Sequence, residues 1–158
     1  MPWIALLAGA ILSALATAPA SAQADSIGAV AMVDQFHRLL EGGDTTGVMA
    51  TLAPEVLILE GGSIETRDEY RAHHLAADIA AVRAAPSART VTRVSVSGAQ
   101  GWVVSTSIGK REVRGQPVEA ITAELVVLRR VSGAWRIVAI HWSGRTRRLP
   151  PVGAVNPP

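Results

Sequence analysis

The sequence predicts an α+β fold: a cone-shaped, curved antiparallel sheet wrapped on three N-terminal helices. Three observations carry this. Apolar residues recur at helical spacing in the N-terminal half, a capping signature opens one of those stretches, and from residue 88 onward four strand-like runs follow one another across short turns. Helical runs followed by strand runs mark the α+β class, and strands joined by short turns form an antiparallel meander.

The first element to set aside is a leader. Ile4 to Leu15 is almost unbroken apolar sequence, and small residues at Ala20 and Ala22 fit a signal-peptide cleavage pattern. We place a signal peptide at residues 1–22, with cleavage after Ala22 or alternatively Ala24, which predicts export to the periplasm or the medium. The competing reading is an uncleaved anchor, because no Lys or Arg precedes the apolar run; that run is shorter than the roughly 20 residues of a spanning helix. No other stretch of the sequence could span a membrane, so no membrane association is expected after cleavage.

The first helix begins at Asp25 or Ser26 and runs to Glu41, with Val30, Val33, Phe36 or His37, and Leu40 at helical spacing. Gly42-Gly43 ends it. Asp44 caps a short second helix, Thr45 to Leu52. Glu55 to Glu60 reads as a strand, Gly61-Gly62 as a turn and Ser63 to Glu65 as the return strand. Thr66-Arg67-Asp68-Glu69 is a capping box. The third helix follows from Arg67 to about Ala84, with Leu75, Ile79 and Val82 as its core stripe. Four strands complete the domain: Ala88 to Ser97, Trp102 to Arg114, Val118 to Arg130 and Ala134 to Arg145. The domain spans residues 25–145, and residues 146–158 form a proline-rich tail.

The 158 residues contain no cysteine, which excludes disulfides, thiolate nucleophiles and Cys-ligated metals. The charge is asymmetric. Gln23 to Ala80 carries ten acidic and three basic residues; Ala81 onward carries three acidic and twelve basic. A basic face for an anion or nucleic acid is one reading. The one we favour is that acidic helices pack beside an arginine-bearing sheet, and with only six aromatic residues no nucleic-acid partner is expected. Nucleophile-elbow, P-loop and dinucleotide fingerprints are absent from the sequence.

At this point the chain resembles the nuclear-transport-factor-2-like superfamily, which includes SnoaL-like and ketosteroid-isomerase-like proteins. The resemblance rests on element order and two stretches: Gly133-Ala134-Trp135-Arg136-Ile137-Val138-Ala139-Ile140-His141-Trp142-Ser143, similar to the family's closing strand, and Leu59-Glu60-Gly61-Gly62 at its first hairpin. It implies a cone whose mouth is a pocket. The superfamily hosts isomerases, cyclases, dehydratases, hydrolases and binding domains, so it does not name a reaction. The Asp base with Tyr and protonated Asp donors of the family's steroid isomerase has no matching set here.

In the resembling family the Trp135 side of the closing strand faces the interior, which by alternation places His141 and Ser143 near the mouth. Glu124, in the apolar run Ile121 to Leu128, is a candidate base or ligand; its competing reading is a cross-strand partner for Arg136 or Arg111 on the outer face. Tyr70, His74 and Asp78 are spaced i, i+4, i+8 and share one stripe, so His74 and Asp78 can hydrogen-bond. The catalytic candidates are therefore His141, His74, Asp78 and Glu124, and the ligand-facing set is Glu60, Tyr70, His73, His74, Trp102, Trp135, His141 and Ser143. No cofactor is expected; a divalent metal on His73, His74 and His141 is left open on a weak signal.

The first functional reading is an exported protein binding a small molecule in an apolar pocket at the cone mouth. The alternatives are a proton-transfer or hydrolytic enzyme using His141 or His74 with Asp78, and a His/carboxylate metal-binding protein. For assembly, alternation puts Val138, Ile140 and Trp142 with Arg136 on the outer sheet face. That predicts a homodimer packed sheet on sheet around Trp142; the alternative is a monomer with the tail folded over the patch.

Overall fold

The computed structural model describes residues 20–149, with side chains from residue 23. The expected leader, apart from its last three residues, lies outside this range, as do the prolines of the tail. Four helices and six strands follow in chain order: α1 (Ala20–Gly42), α2 (Thr45–Thr51), β1 (Leu52–Glu60), β2 (Ser63–Thr66), α3 (Arg67–His73), α4 (Leu75–Ala84), β3 (Ser87–Ser97), β4 (Gln100–Val113), β5 (Gln116–Val131) and β6 (Ala134–Arg148).

The local signals act where they stand, except that α1 is already helical from Ala20 and so does not start at Asp25 or Ser26 as expected. Gly43 takes φ +76° and ends α1, and Asp44 accepts from the Gly47 amide at 2.8 Å to cap α2. Thr66 and Glu69 form the reciprocal capping box at the start of α3. The expected third helix is divided at His74, which closes α3 through its amide to the Tyr70 carbonyl and opens α4 through its carbonyl to the Asp78 amide.

The sheet order is β2-β1-β6-β5-β4-β3. Four of the five pairings are antiparallel, as the meander predicts; β1 lies parallel to β6, so the sheet is mixed. That pairing joins the first strand to the last and makes the curved layer. Ala29, Val33, Phe36 and Leu40 of α1 are buried in one core with Val103 of β4, Val126 and Leu128 of β5, and Ile137 and Ile140 of β6. The charge asymmetry resolves as expected, with helix and hairpin acids meeting sheet arginines: Asp25 pairs with Arg130, Asp34 with Arg89 and Glu55 with Arg129.

One irregularity positions the site. β5 pairs Leu128 with Ile137 but Val127 with Ala139, so Val138 is an extra residue on β6. Such a bulge leaves one residue unpaired and resets which side chains face inward beyond it. Trp135 and Ile137 are buried before the bulge; Ile140, not Ala139, is buried after it, and Trp142, not His141, points into the cone. Simple alternation from Trp135 therefore assigns the wrong faces to His141, Ser143, Ile140 and Trp142.

Candidate functional site

The concave face of the sheet meets α1 and α4 at a cavity of ≈ 240 Å³, lined among others by His37, Glu60, Asp78, Arg89, Glu124 and Trp142. Glu124 is its most constrained group. Only 4% of its side chain is exposed, yet burial does not neutralise it. His37 Nε2 lies 2.9 and 3.1 Å from its two oxygens. Ser105 Oγ donates to Oε2 at 2.7 Å and Trp142 Nε1 to Oε1 at 2.8 Å. Burial alone would raise its pKa, but bonds from His37, Ser105 and Trp142 outweigh it and hold the carboxyl below its ordinary value. The outer-face pairing with Arg136 or Arg111 does not occur, because Glu124 stands in register between Ser105 and Trp142 on the inner face.

His37 takes its place from the helix. It follows Phe36, which is fully buried and meets the imidazole edge-on at 5.5 Å, so the ring sits where the α1 core stripe borders the cavity. Phe36 also stacks on Trp142 at 6.3 Å. With Nε2–H directed at Glu124, the tautomer leaves Nδ1 as the basic nitrogen, and among the described residues Nδ1 has no hydrogen-bond partner.

The α4 wall is electrostatically the opposite. Tyr70 Oη donates to Asp78 Oδ2 at 2.9 Å. Burial nevertheless pushes Asp78 above its ordinary pKa, with Tyr70 and His74 opposing. Glu60 is pushed up by burial and then by the Asp78 charge. Burial, followed by the same Asp78 charge, raises the Tyr70 hydroxyl, so it stays protonated as a donor. One cavity thus holds a carboxyl kept below its ordinary pKa beside an imidazole, and two carboxyls raised above theirs.

The structure places the remaining sequence candidates elsewhere. His141 and Ser143 lie on the outer side of β6 because of the Val138 bulge, and both are exposed. His74 does not bond Asp78; the break between α3 and α4 leaves it exposed, its Nδ1 2.7 Å from Glu65 on β2, and that carboxylate raises the imidazole pKa. It lines a smaller depression with Glu60 and Tyr70. His73 is exposed, 3.8 Å from the same Glu65. Trp102 alternates with buried Val103 and so faces outward. Trp135 is buried under the Arg130 guanidinium, 4.7 Å from its ring, and does not line the cavity. Among the described residues no three His, Asp or Glu side chains gather in a metal-holding group, and His73, His74 and His141 do not converge.

The pocket expected to be apolar is mixed: most of its lining residues are polar by type, although more of its lining surface is apolar than polar. Leu40, Ala81, Val82 and Trp142 are its apolar lining, and the rest is polar. His37, Ser105, Arg89 and Trp142 were not among the sequence candidates. The signal for His37 was present in the Phe36-or-His37 ambiguity of the first helical stripe. Ser105 was signalled by a hydroxyl alternating with buried Val103.

Comparison with known proteins locates the fold. A family model of the SnoaL-like domain matches residues 29–146. A protein from Shewanella frigidimarina, provisionally assigned as a ketosteroid isomerase, is 32% identical, with a TM-score of 0.65 over 73% of this chain and 94% of that one. A provisionally assigned dehydratase of the NTF2-like family from Streptomyces avermitilis is 19% identical, with a TM-score of 0.66 over 78% and 98%. A Mycobacterium tuberculosis protein of unknown function is 20% identical, with a TM-score of 0.60 over 89% and 84%. A search of curated protein sequences found no match.

Proposed function

The chain belongs to the SnoaL-like family of the nuclear-transport-factor-2-like superfamily, and from that premise we propose that it binds a small molecule in the Glu124 cavity and moves a proton on it. The observation that carries this reading is the His37–Glu124 pair sharing a cavity with two carboxyls raised above their ordinary pKa. Titratable groups whose environments push their pKa values apart mark acid and base assignments. Glu124 orients His37 and stabilises the charge that develops as Nδ1 takes a proton. Asp78 or Glu60, in its protonated form, delivers a proton to an oxygen of the ligand. The reaction class is enolisation or loss of water, which agrees with the assignments given to the Shewanella and Streptomyces proteins. The cavity lies below the roughly 300–1,000 Å³ of drug-sized sites, which favours an inner fragment smaller than a steroid.

The test is deuterium incorporation. Small keto and hydroxy-carbonyl compounds are incubated with the chain in D2O and followed by NMR for exchange beside the carbonyl or loss of water. His37→Ala is expected to lower the rate about 10²–10⁴-fold, the range of a positioned acid–base group. Asp78→Asn, which keeps an acceptor for Tyr70, is expected to lower it as well. His73→Ala, exposed on α3 and outside the lining of the cavity, leaves it unchanged. Compounds that shift the Trp142 indole resonance but never exchange would leave a binding domain without catalysis.

The leader pattern supports export, which N-terminal sequencing of the protein recovered outside the cytoplasm would check. Assembly through the outer sheet face is proposed on a different patch from the one expected. Trp142 and Ile140 face inward; the outer rows in register are Trp102, Val127, Ala139 and Leu57, then Val104, Leu125, His141 and Leu59. Leu57 is 44% and Leu125 38% exposed. Leu125→Glu is expected to convert a sedimenting dimer to monomer with the fold retained; a wild-type protein that stays monomeric at all concentrations rejects the pairing.

A further inference from the structure

The Glu124 cavity is the inner end of a longer concavity, and the strand registers set out its floor row by row. Across β4, β5 and β6, Ser105, Glu124 and Trp142 stand side by side on the concave face. Two residues outward the row is Ser107, Thr122 and Gly144; the next is Gly109, Ala120 and Thr146; the last is Arg111, Val118 and Arg148. No bulge interrupts these registers between Val118 and Val127, so the four rows share one face. Six residues of strand from Glu124 to Val118 span roughly 20 Å.

The middle rows carry only small side chains, and the space beside them is open. A trough of ≈ 740 Å³ runs along β6 past the end of β1, lined by Arg111, Ala120 and Thr146 and, from the other side of β6, by His141, Ser143 and Arg145; it shares Glu60, Thr122 and Trp142 with the inner cavity. A further depression of ≈ 160 Å³ shares Ser107 and Thr122 with the inner cavity, and Arg111 and Ala120 with the trough. The three volumes adjoin one another through these shared residues, between His37 and Arg111.

Its outer end is cationic. Lys110, Arg111, Arg114, Arg145, Arg147 and Arg148 stand there against Glu112 and Glu119, and Glu119 is paired with Arg147. Among the described residues neither Arg111 nor Arg148 makes an ion pair. Val118, between them in register, is 5% exposed, so the two guanidinium groups flank an apolar position rather than a carboxylate.

Resting on the cavity reading above, we propose that the ligand is an extended molecule of about 20 Å, its reacting end against His37 and its far end an anion, carboxylate or phosphate, held between Arg111 and Arg148. Guanidinium forks match either anion. The small floor residues leave room for the connecting chain, and Ser107, Thr122 and Thr146 offer hydroxyls to a polar one.

Inorganic phosphate is the first probe, followed on the whole protein by nitrogen-15-resolved NMR at low salt. Saturable shifts are expected at the Ala120 and Thr146 amides, with the Trp142 indole N–H unmoved. Arg111→Ala or Arg148→Ala is expected to weaken the phosphate Kd about two- to fivefold each, the range for exposed charges, and the double variant more. Arg93→Ala, of equal charge on β3 and outside the lining of all three volumes, leaves it unchanged. Acetate in place of phosphate shows which anion is preferred. No saturable shift, a shift confined to Trp142, or equal weakening in Arg93→Ala overturns the proposal. His37→Ala should bind phosphate as the wild type does. Absence of deuterium exchange in the wild type with phosphate still bound rejects the catalytic reading alone, and exchange in a wild type that binds no phosphate rejects the anionic end alone.

Discussion

Replacing Glu124 with alanine is expected to destabilise the domain by about 3–5 kcal/mol, as measured by urea unfolding at neutral pH. Removing the carboxylate strands three donors at once, His37 Nε2, Ser105 Oγ and Trp142 Nε1, in a site where the carboxyl is almost fully buried. Glu124→Gln keeps one acceptor oxygen but turns an amide N–H₂ toward a donor, and is expected to lose a smaller amount, about 1–3 kcal/mol. The pH dependence has a definite sign. The folded pKa of Glu124 lies below its ordinary 4.5. Its stabilisation is therefore complete above about pH 4.5 and is lost as pH falls through the depressed folded value. The gap between wild type and Glu124→Gln should accordingly be widest near neutrality and close in acid. A Glu124→Ala protein within 1 kcal/mol of wild type at neutral pH (roughly the size of one ordinary hydrogen bond) would mean the three bonds do not hold together in solution.

Phe36→Ala is expected to lose about 3–5 kcal/mol, the usual result of deleting a fully buried aromatic ring. The ring is wholly inaccessible and touches both sides of the site, edge-on to His37 and stacked on Trp142. It therefore acts on geometry as well as on stability. A double-mutant cycle with Trp142→Ala should show coupling of about 0.5–1.5 kcal/mol between the two rings. In the deuterium assay Phe36→Ala should slow exchange even where the protein remains folded, because His37 and Trp142 lose the surface they rest on. Strict additivity of the two substitutions would detach Phe36 from the site and leave it a core residue only.

Most of the fold was legible because its signals are local. Gly43, Asp44, the Thr66–Glu69 box, the turn glycines and the four strand-length runs each act within a few residues, and each appears where its chemistry places it. The β1–β6 pairing was not legible in this way. It joins segments some 80 positions apart, and parallel partners carry no turn to announce them.

The site divides along the same line. The sequence alone determined that Glu124 is anomalous, since a carboxylate in an apolar strand must be solvated, paired or buried, and it put Tyr70, His74 and Asp78 on one stripe, of which Tyr70 and Asp78 meet and His74 turns to Glu65 instead. Only the tertiary structure decided which of those fates Glu124 meets. Its partners come from α1, β4 and β6, 87, 19 and 18 residues away, and no local pattern specifies three donors converging from three elements. The tertiary structure also decided which histidine belongs to the site. One extra residue at Val138 exchanges the faces of β6, sending His141 outward and Trp142 inward. A bulge is a property of the pairing between two strands, set by how β6 must bend to follow β1 and β5 together, and the period of a single strand does not contain it.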